Sequence, residues 1–255
     1  KEIEPLLRHL SAQQTQLKPD RAAIENAALI RQEFSANVSH ELKTPLHVIS
    51  GYAELFENGL VKEEDIKPFA KKIHAESLRM TKLIEDIIEL TKLDNGGTEM
   101  KWEKCDFYSI AENAVDTLES AASDMNIKLI VNGENAPVTA IPQMIYSIVY
   151  NLCDNAIKYS QPNGYVSVTV TQNDHYTVLT VKDTGIGIQE EEQKRIFERF
   201  YRVDKSRSKE VCGTGLGLSI VKHAVMIHKG NIRLNSVFGK GSEFIVTIPN
   251  YPGIT

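Results

Sequence analysis

The sequence predicts an α+β protein in which a helical hairpin precedes a two-layer α/β sandwich. Up to about Leu93, apolar residues recur every three or four positions, as in amphipathic helices. The run Asp94-Asn95-Gly96-Gly97 is a clear turn and linker signal. Strand-like runs appear only after it. Because the two patterns are segregated along the chain, we expect two domains with a boundary near residues 94–98.

Length and composition are those of an ordinary globular protein. The chain has 255 residues, 42% hydrophobic and 25% charged, with a formal net charge of -5, which excludes disorder and low-complexity architecture. No run approaches the roughly 18 consecutive apolar residues of a membrane span. The mildly acidic balance gives no reason to expect nucleic acid as a partner. Three cysteines, an odd number, argue against a disulfide framework and favour a reducing cytosol.

Two long helices are expected before the linker, joined by residues 57–65. Their apolar positions have helical or heptad spacing and are, in the first helix, Phe34, Val38, Leu42, Leu46, Ile49, Ala53 and Phe56, and in the second, Ile66, Phe69, Ile73, Met80, Leu83, Ile87 and Leu90.

Such a hairpin has no third layer to cover its apolar seams. Two copies that pack into a four-helix bundle solve this problem, so we predict a homodimer. Residues 1–30 are polar and weakly periodic, and we expect a linker or coiled-coil helix there, with its continuity limited by Pro5 and Pro19.

The second domain alternates helical and strand-like stretches without strict β-α-β order. This pattern is typical of a sandwich with strands mostly in hairpin-like pairs, rather than of a doubly wound fold. The expected strands cover 101–105, 127–131, 165–171, 177–182, 231–237 and 243–248, and the expected helices cover 107–124, 142–159 and 216–228.

The first helix contains a candidate nucleophile. His40 lies about 200° around the helix from Val38 and from Leu42, so its imidazole is expected to point into solvent. Glu41 can accept its proton, and Thr44, one turn later, can position a water molecule. Pro45 is expected to loosen the helix. A zinc site is excluded, since Thr44 stands where a His-Glu-x-x-His motif needs its second histidine; an ordinary surface histidine is the alternative.

A second set of residues is suited to a nucleotide. Asn151, Asn155 and Lys158 fall at i, i+4 and i+7 on one predicted helix face. Amide oxygens suit Mg²⁺, which also bridges phosphates, and the lysine can offset phosphate charge. A solvated polar helix face is the alternative.

Two glycine-rich segments follow. Asp183-Thr184-Gly185-Ile186-Gly187 ends a strand, and its carboxylate can accept a hydrogen bond from an amino group. Gly213-Thr214-Gly215-Leu216-Gly217 opens a helix whose free amides favour phosphate, but it is neither a P-loop nor a Rossmann turn. About 25 residues connect the two segments, and a connection of that length predicts a lid. Its aromatic and basic residues are Phe197, Phe200, Tyr201, Arg202, Lys205 and Arg207.

The order and spacing of these motifs resemble those of bacterial two-component sensor histidine kinases, from about residue 30 to 250. SHELKTPL at 39–46 resembles that family's phosphoacceptor box. NLCDNAIKYS, DTGIGI, FERFYR, GTGLGLSIVK and GKGSEF resemble its N box, first glycine box, phenylalanine box, second glycine box and terminal hairpin. One departure is Ile141-Pro142, where such kinases often carry an acidic residue before the proline.

The resemblance implies a role for each matching residue. His40 would be phosphorylated from ATP, with Glu41 as base, and Thr44 would position water when the response regulator is dephosphorylated. Asn155 would bind Mg²⁺, and Asp183 would select adenine. The remaining nucleotide-site residues would border the ligand or shape the pocket and lid: Asn151, Lys158, Tyr159, Gly185, Gly187, Arg202, Arg207, Gly213, Thr214, Gly215, Leu216 and Gly217.

The resemblance also implies a domain plan and partners. Residues 31–95 would form the dimerisation and histidine phosphotransfer domain, and residues 98–255 an ATP-binding domain of the gyrase, chaperone and histidine-kinase type, with a hinge at 95–98. The receiver domain of a response regulator would be the partner. Because such kinases usually have sensing and transmembrane parts upstream, we expect the cytoplasmic portion of a membrane-anchored sensor. An ATPase or chaperone-type module of the same superfamily, or a non-catalytic dimeric scaffold, is the alternative.

Overall fold

The computed structural model describes residues 3–94, 100–203 and 213–251, with side chains from Ala28 onward except Ile30. The expected hinge at 95–98 therefore lies outside the described residues. The chain divides into two compact units, Lys1–Ser77 and Leu78–Thr255. No helix in the described part of the chain is long and apolar enough to cross a membrane.

The first unit is a helical hairpin. Helix α1 spans Ile3–Glu57, and helix α2, which spans Glu63–Asp94, contributes its first half. The Phe69 ring of α2 packs against Tyr52 and Phe56 of α1, with ring centroids 4.7 and 6.4 Å apart. The predicted hairpin is confirmed, and α1 extends through Pro19 and Pro45 as one helix.

The buried side of α1 only partly matches the expected stripe. Pro45 is buried and Tyr52 and Leu55 are half-buried, although none of them belongs to that stripe. Conversely, Leu46 is 49% exposed and Phe56 36% exposed. The apolar surface of α1 is wider than the strip that one neighbouring helix can cover, so part of it stays on the surface of the single chain.

The second unit is a two-layer α/β sandwich preceded by the end of α2. Its helices are α3 (Phe107–Asp116), α4 (Glu119–Asp124), α5 (Pro142–Tyr159) and α6 (Gly217–Ile227). Its strands are β1 (Glu103–Asp106), β2 (Lys128–Gly133), β3 (Pro137–Ala140), β4 (Tyr165–Gln172), β5 (Tyr176–Asp183), β6 (Asn231–Val237) and β7 (Gly241–Pro249).

The main sheet has the order β2-β4-β5-β7-β6, and β1 pairs with β3 in a separate two-stranded sheet. Strands β4 and β5 bury alternate residues, as expected for a sheet with one covered face. Helix α5 is central to the helical layer and buries Ile145, Ile148 and Leu152 completely. This core fixes the ends of β5, α5 and α6, where the site residues lie.

Three details differ from the sequence-based expectation. Strand β3 was not predicted. It is only four residues long and begins at Pro137, so the sequence shows no strand-like periodic run there. The helix expected over 107–124 is divided into α3 and α4 at Thr117 and Leu118. Strands β2 and β4 are parallel neighbours. The chain returns from the end of β2 to the opposite end of the sheet, where β4 begins, through β3 and α5. The hairpin-like pairs β4–β5 and β6–β7 are antiparallel as predicted.

The end of α2 packs with the α/β sandwich. Asp86 is only 2% exposed, and its carboxylate accepts a 2.5 Å hydrogen bond from the Thr214 hydroxyl and pairs with Lys82 at 3.0 Å. Asp94, at the end of the helix, pairs with Arg199 at 2.6 Å. Helix α2 therefore contributes to both units.

Candidate active site

The imidazole of His40 is accessible, as the helical position predicts. Its side chain is 81% exposed, and its Nδ1 lies 3.9 Å from a carboxylate oxygen of Glu41, which is 27% exposed. A neutral imidazole nitrogen is a nucleophile, and a neighbouring carboxylate can accept the proton that leaves the ring once the two atoms come within hydrogen-bond distance, about 3 Å. With Glu41 as proton acceptor, a ring nitrogen of His40 can therefore form a covalent bond to an electrophile.

Hydroxyl groups near His40 bond back to the helix. The Thr44 hydroxyl donates to the His40 carbonyl at 3.3 Å, and Ser39 donates in the same way to the Ser35 carbonyl at 2.9 Å. Such bonds to the carbonyl one turn earlier slightly weaken and bend a helix. Thr44 is exposed, so its oxygen can still accept a hydrogen bond from water.

Asp183 is the last residue of strand β5, and backbone hydrogen bonds hold its carboxylate in place. One oxygen, Oδ1, accepts hydrogen bonds from the backbone amides of Gly185 at 2.8 Å and Ser242 at 3.1 Å. Burial raises the pKa of this carboxyl, and the two amide bonds oppose that rise. No described group donates to Oδ2, so this oxygen can accept a hydrogen bond from a ligand's amino group.

The glycine segment after Asp183 lies close to its neighbours. Gly187 has a φ of +65°, and a Cβ there would lie 2.1 Å from the Val237 carbonyl oxygen. Only glycine fits both conditions. The Ile186 amide donates to the Tyr159 carbonyl at 3.1 Å, which joins the segment to the end of α5.

Helix α5 supplies three polar residues to the same region. Asn151 is buried, and its amide donates to the Ser147 carbonyl at 2.9 Å. Asn155 is half-buried, and none of the described residues hydrogen bonds with its side-chain amide. Lys158 pairs with Asp154 at 2.6 Å, one turn earlier on the helix. In this conformation the lysine charge is therefore balanced within α5.

The second glycine segment precedes α6. Gly215 has a φ of +73°, and a Cβ there would lie 2.9 Å from the backbone of Phe200, whose amide donates to the Gly215 carbonyl. Leu216 is the N-cap residue of α6 and makes no side-chain cap. The position of a Gly217 Cβ lies 2.8 Å from the Asn151 side-chain oxygen, so the start of α6 closely approaches α5.

The connection between the two glycine segments is only partly described. Phe197 packs edge-on against Phe244 with ring centroids 6.4 Å apart, and Arg195 lies over the Tyr201 ring at 4.3 Å. The Arg202 guanidinium lies near Gly213: a Cβ added to Gly213 would be 4.0 Å from it. Lys205 and Arg207, which were expected in the lid, lie outside the described residues.

Sequence reasoning missed several residues that hold this site together. Ser242 and Gly241 belong to the GKGSEF motif, but no role was assigned to them; the Ser242 amide holds Asp183, and a Gly241 Cβ would lie 2.2 Å from the Asp183 carbonyl oxygen. Ser236 and Gln193 bond to the first glycine segment. Asp86 engages Thr214 across 128 positions of sequence. No spacing rule connects residues so far apart in the chain.

The donor set fits a magnesium ion that arrives with a nucleotide. The described residues include no cluster of three or more histidine, cysteine or acidic side chains that could hold a metal by themselves. Mg²⁺ keeps several waters and commonly takes one or two protein oxygens together with phosphate oxygens. The Asn155 amide oxygen matches such a ligand.

Comparison with known proteins decides the family. Residues 30–96 match the model of the His Kinase A (phospho-acceptor) domain, and residues 140–252 match that of the histidine kinase-, DNA gyrase B- and HSP90-like ATPase. The chain belongs to the sensor histidine kinase family. The two matches come in the order that the motifs predict, and they contain His40 and Asp183 respectively.

Individual sensor kinases agree with this assignment. Sensor protein kinase WalK of Staphylococcus aureus is 38% identical over 222 residues, which cover 86% of this chain and 54% of that relative. WalK of Staphylococcus haemolyticus is equally similar, and 36% of it is covered. The chain thus spans between about a third and a half of the length of the curated relatives it matches.

Solved structures of sensor kinases share the fold. A crystal structure of histidine kinase ThkA in complex with response regulator protein TrrA is matched with a TM-score of 0.72 at 24% identity, over 91% of this chain and 65% of that chain. Histidine kinase AdeS of Acinetobacter baumannii is matched with a TM-score of 0.66 at 24% identity, over 83% and 98%.

Proposed function

We propose that this chain is an ATP-dependent protein-histidine kinase that phosphorylates His40 and passes the phosphoryl group to an aspartate of a response regulator's receiver domain. The observation that carries the proposal is the exposed imidazole of His40 beside the Glu41 carboxylate, 3.9 Å away. The same chain holds a buried, doubly anchored carboxylate, Asp183, that suits adenine recognition. An ATPase-type module alone accounts for Asp183 but leaves the His40 pair without a function.

The nucleotide is proposed to bind between the end of β5 and the starts of the surrounding loops. Asp183 Oδ2 accepts a hydrogen bond from the exocyclic amine of adenine, and Asn151 and Tyr159 border the ligand. The phosphates lie against Gly213, Thr214, Gly215, Leu216 and Gly217, where the uncapped start of α6 favours negative charge.

Four residues are proposed to balance the charge of the phosphates. Asn155 would hold Mg²⁺, which neutralises the charge that develops on the transferred phosphoryl group. Lys158 exchanges part of its interaction with Asp154 for the phosphates, and Arg202 approaches them from the lid. Arg207 is proposed as a second lid cation.

At His40, the chain's own residues move the proton. One imidazole nitrogen attacks the γ-phosphorus in line while Glu41 accepts the proton from the other, which keeps the ring nucleophilic. The β–γ bond breaks, and ADP leaves with the electron pair. In a separate reaction, dephosphorylation of the regulator, Thr44 positions a water that attacks the phosphorus of the aspartyl phosphate. The bond between the phosphorus and the aspartate oxygen breaks and inorganic phosphate leaves, so the same helix face serves both reactions.

The domain plan is part of the proposal. Residues 1–30 form a linker or coiled-coil helix, residues 31–95 the dimerisation and phosphotransfer domain, and residues 98–255 the ATP-binding domain. The exposed apolar residues of the hairpin, such as Leu46 and Ile66, are covered by a second copy in a four-helix bundle. The chain is proposed to be the cytoplasmic part of a membrane-anchored bacterial sensor, with no nucleic acid among its partners.

A labelling experiment tests the kinase assignment. Incubation of the full chain with γ-labelled ATP and Mg²⁺ is expected to give protein-bound phosphate that is labile in acid and stable in base. His40→Gln removes the label, whereas His47→Gln, an exposed histidine two turns later on the same helix, keeps it. Label that persists in His40→Gln contradicts the assignment. ATP hydrolysis without any label in the wild type would favour the ATPase alternative.

A further inference from the structure

The Ser236 hydroxyl, on strand β6, contacts both the start of β7 and the residue after the first glycine segment. It accepts a hydrogen bond from the Ile188 amide at 2.8 Å, lies 2.9 Å from the Ser242 hydroxyl, and donates to the Gly241 carbonyl at 3.1 Å. Ile188 directly follows the first glycine segment and is the last residue of the DTGIGI motif, whereas Gly241 and Ser242 begin β7. One hydroxyl thus joins the glycine segment to the β6–β7 hairpin.

Gln193 makes a second bridge between the same segments. Its side-chain amide donates to the Ile188 carbonyl at 3.1 Å and to the Ser236 carbonyl at 3.2 Å. Both backbone groups of Ile188 are therefore engaged, the amide by Ser236 and the carbonyl by Gln193. A residue held on both sides has little freedom to shift.

The bridge leads directly to Asp183. Ser242, which contacts the Ser236 hydroxyl, also donates its backbone amide to Asp183 Oδ1. The segment from Asp183 to Ile188 is consequently fixed at both ends to the same hairpin, at its start through Ser242 and at its end through Ser236. Its middle is fixed as well, because the Gly239 amide donates to the Ile186 carbonyl at 2.7 Å.

The hairpin does not need the Ser236 hydroxyl for its own pairing. Strands β6 and β7 pair in register from Asn231 to Val237, and Ser236 pairs there with Ser242 through the backbone. Beyond this backbone pairing, the hydroxyl bonds to the Ile188 amide and to Gly241 and Ser242 at the start of β7. Of these bonds, only the one to Ile188 leaves the hairpin. Its contribution therefore concerns where that segment lies, rather than whether the hairpin forms.

We propose that Ser236 and Gln193 are positioning residues for purine recognition, acting through Ile188, Ser242 and Asp183. They hold the glycine segment so that Asp183 Oδ2 and the segment's backbone face the purine in one geometry. The inference rests on the proposed nucleotide site at Asp183. Neither residue contacts the nucleotide itself, so both affect binding and base selectivity and leave the transfer step unchanged.

The test is titration of the full chain with ATP and, separately, with GTP in the presence of Mg²⁺. Ser236→Ala should weaken ATP binding by about tenfold, the size of one well-placed hydrogen bond. It should also reduce the preference for ATP over GTP, since a loosened segment no longer presents Asp183 to the exocyclic amine. Gln193→Ala should act in the same direction by about threefold. The rate of His40 labelling at saturating ATP should stay unchanged.

Two matched variants separate positioning from general stability. Ser236→Thr keeps the hydroxyl and should restore most of the affinity. Asn235→Ala removes the neighbouring β6 side chain, whose partner is Glu243 and not the glycine segment, and should leave both affinities unchanged. Wild-type affinity in Ser236→Ala overturns the inference, as does a lowered melting temperature with an unchanged ratio of ATP to GTP affinity. If the wild-type chain binds no ATP, the proposed function has failed instead.

Discussion

The helical hairpin and the α/β sandwich bury their apolar residues in different ways. Among the described side chains up to Ser77, only Pro45 is buried, while Leu46, Leu60 and Ile66 are each about half exposed or more. In the sandwich, Ile148, Leu152 and Leu179 are completely buried. The sandwich therefore completes its core within one chain, whereas the hairpin leaves apolar side chains exposed, where the proposed second copy would cover them.

The largest expected effect is on the hairpin. Leu46→Asp places a charge on its exposed apolar face, and burial of an unpaired charge in an interface is costly. We expect the variant to be monomeric in sedimentation equilibrium at concentrations where the wild type is dimeric. ATP affinity, a property of the sandwich, should stay as in the wild type.

The control for this prediction is Asn37→Asp, which adds the same charge at an exposed polar position on the opposite side of α1, nine residues or two and a half turns away. It should remain dimeric. A monomeric wild type would break the comparison, because the hairpin would then be stable with its apolar face uncovered.

The sequence-based interpretation succeeded where local pattern is decisive. The hairpin and most elements of the sandwich follow from periodicity, and the exposure of His40 follows from its angle to Val38 and Leu42. The short strand β3 has too few residues for a periodic pattern. The width of the α1 apolar face was underestimated because a single stripe cannot show which residues meet α2 and which remain on the surface.

A smaller effect is expected in the sandwich core. Leu152→Ala on α5 should lower the free energy of unfolding by about 3 kcal/mol, as large-to-small core substitutions do. Trp102, the single tryptophan, packs against His228 with ring centroids 4.9 Å apart and ring planes tilted by 55°, so its fluorescence reports unfolding of this unit. The loss should not depend on protein concentration. A concentration-dependent midpoint would mean that the sandwich, too, relies on a second copy.

The contribution of the end of α2 to the stability of the sandwich can be measured by substituting Asp86. Asp86→Ala leaves Lys82 and the Thr214 hydroxyl without their buried partner, which should cost about 2 kcal/mol in the same fluorescence measurement. Glu85→Ala, exposed on the neighbouring position, should change little. Equal stabilities for both variants would show that the end of α2 does not pack with the sandwich in solution.

The smallest effect concerns pH. His228 is completely buried, its Nε2 accepts a hydrogen bond from the Ile141 amide at 3.0 Å, and its Nδ1 lies 2.7 Å from the Ala224 carbonyl. This geometry requires the neutral ring, and burial lowers its pKa although the Ala224 bond opposes the shift. As pH falls below about 6.5, the unfolded chain takes up the proton first, so stability declines by at most about 1.4 kcal/mol per pH unit.

The check is urea unfolding followed between pH 7 and pH 5. His228→Phe should show a shallower decline than the wild type, whatever its absolute stability. His175→Phe, at an exposed position, should keep the wild-type slope. Identical slopes in all three proteins would contradict a neutral buried His228.

For the site, as for the fold, local sequence predicts some features, whereas contacts between distant parts of the chain are not predicted. The exposure of His40 and the place of Asp183 at the end of a strand could be predicted from their own neighbourhoods in sequence. The residues that hold Asp183 and its glycine segment could not, because Ser236 meets Ile188 across 48 positions and Ser242 meets Asp183 across 59. Such contacts depend on the order of strands in the sheet, and the parallel β2–β4 pair shows that this order was only partly predictable.

The central claim is that His40 in the hairpin receives its phosphate from a nucleotide held by Asp183 in the sandwich. The most direct test is to locate the phosphate by mass spectrometry, at alkaline pH, after the full chain has been incubated with ATP and Mg²⁺. The account predicts phosphate on His40 in the wild type and none in Asp183→Asn, in which the amide can no longer offer adenine the same carboxylate oxygen. Phosphate on another residue, or undiminished phosphate on His40 in Asp183→Asn, would contradict it.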